Sequence, residues 1–163
     1  MAATATNAAS APALIFSLND NFVPRALHGL TQEELCRAPT DRNNSMLWVA
    51  GHVVQRRATV IQMLGDGLET GWGNPFDRGA TVGDAHRYPS GAEVERVMRE
   101  ASPRLSAVLS ALSNEQLARP ASLPIPGIKT LADELAFFAL HDSYHVGQVA
   151  YIRKGLGYPG LAG

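Results

Sequence analysis

The stretch that most constrains how this chain folds begins at Thr130 and reads TLADELAFFALHDSYHVGQVAYIRK as far as Lys154. It is long, strongly apolar and free of proline, which predicts one continuous helix. Thr130 and Asp133 have the spacing of a capping box, Glu134 adds a second acid to the first turn, and Arg153 and Lys154 precede Gly155 as a C-terminal stop. Phe138, His141, His145, Gln148 and Ile152 then fall on one line along this helix. Two imidazoles one turn apart on an apolar face must be satisfied, because burying a polar group without a partner is costly. They either find separate hydrogen-bond partners or close on a single ion.

Length and composition bound what surrounds that helix. A chain of 163 residues, 45% hydrophobic and 18% charged, has the make-up of one domain with a real core. Residues 13–163 are expected to form it, behind a loose leader over residues 1–12. A net charge of -1 provides no footprint for gripping phosphate backbones or an anionic membrane, so neither nucleic acid nor membrane is an expected partner. No run approaches the roughly 18 apolar residues of a membrane span. The single cysteine, Cys36, excludes a thiolate zinc cluster and fits a reducing compartment. MAATATNAASAPA lacks the basic start and apolar run of a secretory signal, so a cytoplasmic location is expected.

The remaining helices follow from periodicity. Leu14, Ile15, Leu18, Phe22 and Ala26 recur at three and four residues and predict a first helix, kinked or broken near Pro24 and running on to His28 and Gly29. LTQEEL reads as a short turn capped by Thr31. Asn44 or Ser45 caps a second long helix that ends at Gly65, with Trp48, His52, Gln55, Thr59 and Met63 on one line and Gly51 leaving room for a close neighbour. Residues 65–89, rich in glycine and aromatics, have no period and read as a crossover long enough to cover a pocket. Val94, Val97, Met98, Ala101, Leu105, Val108 and Leu112 form the stripe of a third helix that Pro103 should bend, with Glu93, Glu95, Arg96, Arg99 and Glu100 on its wet face. Ser113 to Leu117 is one further helical turn before a proline-rich approach to Thr130. The expected fold class is all-α: a four-helix bundle with a long crossover between helices two and three.

Two histidines make a weak site, and His52 supplies a third imidazole from another inward helix line. Three histidines leave a coordination position open, as catalytic metals need. Imidazole suits zinc, nickel, iron and copper. Of the divalent ions, zinc or nickel is expected first, with iron or manganese as alternatives. Taken singly, each histidine would be read as a satisfied core residue. Gln55 and Gln148 stand one turn from His52 and His145 and are candidate orienting groups for ligand or substrate. Asp142 reads as a surface or interhelical carboxylate, Tyr144 and Tyr151 as core or interface, His86 as a solvated loop histidine, Arg56 and Arg57 as a solvated face, and Cys36 as a bystander. No positioned catalytic acid or base stands out.

GHVVQR around His52, LTQEEL after the first helix and, most specifically, ALHDSYHVGQVAYIRKGLG resemble the DinB/YfiT-like family of metalloenzymes. The resemblance implies a four-helix bundle with the long crossover and a divalent-metal triad that maps onto His52, His141 and His145. It also implies a homodimer and a small-molecule substrate, with a low-molecular-weight thiol as co-substrate in the thiol-dependent S-transferases. Metal-dependent hydrolysis, or a non-catalytic metal-binding or stress-associated bundle, are the alternatives within the same resemblance. Pro24 and Pro103 depart from a clean pattern and put helix lengths in question rather than the triad.

Overall fold

The structure is a computed structural model describing residues 7–73, 75–77 and 88–161. Seven helices are described: α1 Ser10–Asn19, α2 Phe22–Leu27, α3 Gln32–Cys36, α4 Met46–Met63, α5 Gly91–Ser110, α6 Asn114–Leu117 and α7 Leu131–Gly155. The four-helix bundle consists of α4, α5, α7 and the broken pair α1–α2, with α1 and α4 each packed against both α5 and α7. Among the described residues there is no strand, only one isolated bridge between Pro120 and Thr130, and no helix is long and apolar enough to cross a membrane. The long connection lies between α4 and α5; His86 and much of the crossover fall outside the described residues.

Helix starts are fixed by local hydrogen bonding. Thr31, Ser113 and Thr130 each form a reciprocal capping box, and Ser45 and Ser90 accept from backbone N–H groups of the first turns of α4 and α5. Each bond satisfies donors that a helix leaves free at its N-terminus. At the other end of α4, Gly65 takes φ +94°, a conformation open to glycine. α7 ends at Gly155, and the glycine with a left-handed backbone lies two residues on, at Gly157 with φ +87°.

Several expectations are corrected. Leu14, Ile15 and Leu18 of α1 are exposed, whereas Pro12, Phe16 and Asn19 are buried. The helix begins at Ser10, and Ala9 is buried. The break falls at Asp20–Asn21, upstream of Pro24, which sits in the first turn of α2 where its missing N–H has no intrahelical partner to lose. α5 runs through Pro103 without interruption, and Leu109 takes the buried place expected of Val108. Tyr144 and Tyr151 are exposed, so of core or interface only core is excluded.

The largest correction concerns Arg57, which is 1% exposed instead of lying on a solvated face. Its Nε and one Nη donate to the two oxygens of Asp142 at 2.8 and 3.0 Å. Its remaining donors reach Asp20, Ser102 Oγ at 3.3 Å and the Phe16 carbonyl at 3.1 Å. All five guanidinium hydrogens are thereby used, and α1, α4, α5 and α7 are joined at one buried point. Asn19 is buried for the same reason, donating to Asp142 at 2.9 Å. Arg153, also buried, donates to the Ala26 and His28 carbonyls and so closes the C-terminal end of α2 against α7.

Candidate metal centre

The line of inward residues on α4 meets the corresponding line on α7 at His52, His141 and His145. His141 Nε2 lies 3.2 Å from His52 Nε2 and 3.2 Å from His145 Nε2. One ligand atom from each of the three histidines lies within 4.8 Å of the others. Imidazole nitrogens bonded to a single tetrahedral ion at about 2.1 Å stand about 3.4 Å apart, so the spacing suits one small cation.

Hydrogen bonding on the far side of the rings fixes which nitrogen faces the cluster. His52 Nδ1 is 2.7 Å from the Phe76 carbonyl oxygen, which accepts only, so Nδ1 carries the hydrogen and Nε2 presents a lone pair. His145 Nδ1 stands 2.7 Å from Gln148 Oε1 and has the same tautomer. His141 Nε2 can hold one proton at most, so the neutral cluster leaves at least one pair of lone pairs facing each other. A cation satisfies all three; hydrogen bonding among them does not.

Burial pushes the imidazole pKa of His52 down to about 4, and the His145 charge adds to it against the favourable Phe76 bond. His141 is likewise pushed down to about 4, chiefly by burial and then by its two neighbours. Burial also lowers His145, partly offset by Gln148. All three are neutral at pH 7, the form in which imidazole binds a metal.

The surroundings hold His52 in place. The Trp48 ring stacks on it with centroids 5.0 Å apart and planes 7° from parallel. Phe76, fully buried, stands against Gly51, where an added Cβ would come within 2.3–2.6 Å of the ring. The Phe76 ring is itself held by Tyr88, stacked at 5.3 Å, and by the edge of Trp72 at 5.8 Å. The described part of the crossover therefore packs beside the site and lends it a backbone carbonyl. A main-chain acceptor has no residue signature, but Gly51 in the middle of an apolar helix does mark a close neighbour.

Of the other candidates, Gln148 is placed on His145, whereas Gln55 Nε2 donates to Asp77 Oδ1 at 2.9 Å. Arg56 pairs with the same carboxylate at 2.5 Å. Asp142 is buried and interhelical, directed at Arg57. Cys36 is half-buried against the core, with Gln32 Nε2 3.7 Å from its sulfur.

Comparison with known proteins agrees with the fold. The chain is similar in fold to a conserved protein from Enterococcus faecalis, with TM-score 0.72, 16% identity and coverage of 92% of this chain and 97% of that one. It is equally similar to YfiT from Bacillus subtilis, described as a probable metal-dependent hydrolase with an unusual four-helix bundle topology, with TM-score 0.72, 16% identity and coverage of 93% and 89%. No curated protein matches the chain. The family description of the DinB superfamily matches residues 20–149, an interval that holds all three histidines and most of the bundle, and the chain belongs to that superfamily.

Proposed function

We propose that His52, His141 and His145 bind one divalent metal ion, zinc or nickel first, and that the protein is a metal-dependent enzyme acting on a small molecule. The observation that carries this reading is the convergence of three Nε2 atoms, with the outer Nδ1 of His52 and of His145 already committed to Phe76 and Gln148. Such an ion would supply Lewis acidity, making a coordinated water or thiol nucleophilic near neutral pH. The chain's own contribution is orientation and desolvation: the Phe76 carbonyl and Gln148 amide fix the ring tautomers, and Trp48 shields one face of His52.

Water as the nucleophile is supported by the likeness to YfiT, and a low-molecular-weight thiol by the sequence resemblance. A homodimer belongs to the same reading, supported by Leu14, Leu18 and Leu140, which leave exposed apolar side chains on the neighbouring helices α1 and α7. A cytoplasmic location also belongs to it and rests on the single cysteine.

Elemental analysis of the purified protein is expected to find about one metal per chain, and His145→Ala to lose it. Full occupancy in that variant would remove the triad. Incubating the metal-loaded protein with an electrophilic ester, with and without added thiol, separates hydrolysis from thiol transfer.

A further inference from the structure

Beside the histidine cluster runs a groove that the metal reading does not use. It has two cavities, of about 490 and 550 Å³, that share Pro39, Tyr151 and Ile152 as a common apolar floor. Beyond the shared residues, the first is lined by Arg42, Asn43, Asn44 and Gln148 with Val49, Tyr144 and Gly147, and the second by Arg37 and Lys154 with Ala38, Gly155 and Leu156. No acidic residue is among the described residues lining either cavity.

The polar groups of the first cavity are donors with little left to accept. Gln148 has its Oε1 on His145 Nδ1, and Asn43 has its Oδ1 on Thr40 Oγ1 at 2.5 Å, so each amide keeps its NH2 group for a ligand. Among the described residues, neither Arg42 nor Lys154 has a carboxylate within 4.0 Å, and Arg37 has only a 3.9 Å contact with exposed Glu33. A cationic, donor-rich cavity, a shared apolar floor and a second cationic cavity define the complement of one class of molecule. We propose that this groove binds a small organic dianion with an apolar middle and an acidic group at each end. Gln148 lines the first cavity and holds His145, and the Tyr144 ring, also lining it, lies 5.0 Å from the His145 ring. Two residues lining the first cavity thus touch His145; the groove's role as the substrate site rests on the metal reading above, whereas the binding itself does not.

The test is a titration of isotope-labelled, metal-free protein with azelate, a nine-carbon dicarboxylate, followed by NMR at constant ionic strength. Azelate is expected to shift backbone resonances of Asn43, Asn44 and the Gly147–Leu156 segment. Arg42→Gln and Lys154→Gln should each weaken it roughly 3- to 5-fold, in line with exposed ion pairs, and the double variant about 10-fold or more. Nonanediamide, of equal length and uncharged, should not compete. Equal binding of the diamide, or wild-type azelate affinity in the double variant, would overturn the proposal. Metal content, measured separately, tests the other reading: a protein that binds azelate but no metal retains the groove and loses the metal centre.

Discussion

A single missing side chain does much to shape the site. Gly51 precedes His52 in the middle of α4, where glycine ordinarily weakens a helix by about 1 kcal/mol relative to alanine. It is tolerated because the Phe76 ring occupies the space a Cβ would need, at 2.3–2.6 Å. That ring has no room to retreat, being fully buried and held by Tyr88 and Trp72. The overpacking penalty, about 1–3 kcal/mol, therefore exceeds the gain in helix propensity. Gly51→Ala is expected to lower thermal stability and, by moving the Phe76 carbonyl off His52 Nδ1, to weaken metal binding about 10-fold. A melting curve and a competitive metal titration read the two effects. A more stable variant with unchanged affinity would show that the contact relaxes at no cost.

At the scale of elements, the triad depends on how α4 lies along α7, and Arg57 and Asp142 fix that alignment close to the histidines. Replacing Arg57 with alanine leaves Asp142 buried without its main partner, a change that typically costs about 3–5 kcal/mol. A correspondingly lower urea midpoint is the expected result, with Asp142→Asn milder because Asn19 and Ser143 remain nearby to accept or donate. A loss below about 1 kcal/mol for Arg57→Ala would mean that the helices are aligned by apolar packing alone. This network also explains which parts of the fold were legible in sequence. α4, α5 and α7 announce themselves because caps and apolar lines are local signals. α1 was misread because its buried face includes Asn19, a polar residue drawn inward by an aspartate 123 positions away. Arg57 was misread as solvated for the same reason, since its carboxylate partner lies 85 positions along the chain. That the three histidines come together was readable because His141 and His145 share one face of α7 and His52 lies on an inward line of α4, whereas the Phe76 carbonyl left only the indirect mark of Gly51.

For the whole molecule, three imidazoles held neutral make stability depend on pH. In the unfolded chain a histidine takes up its proton near pH 6.5, while His52 and His141 in the folded protein do so only near pH 4, and His145 is shifted in the same direction. Between those values the unfolded state binds more protons, so the stability of metal-free protein falls as pH falls from about 6.5 to about 4 and is flat on this account above pH 7. Exposed carboxylates such as Glu34 and Asp133, lowered by hydrogen bonds to their capping threonines, add acid sensitivity of their own. The metal-dependent increment, the difference in Tm between metal-loaded and chelator-treated protein at each pH, cancels those contributions. A ligand present at 1,000 times its Kd stabilises the native state by about 4 kcal/mol, and that increment requires all three Nε2 lone pairs. It is expected to hold nearly constant from pH 8 to pH 6, because burial has already removed the competing protons, and to vanish as pH falls towards 4. An increment that instead declines steadily from pH 8 to pH 6 would place the ligand pKa values near 7, as for exposed imidazoles, and would contradict a site built by desolvating three histidines between α4 and α7.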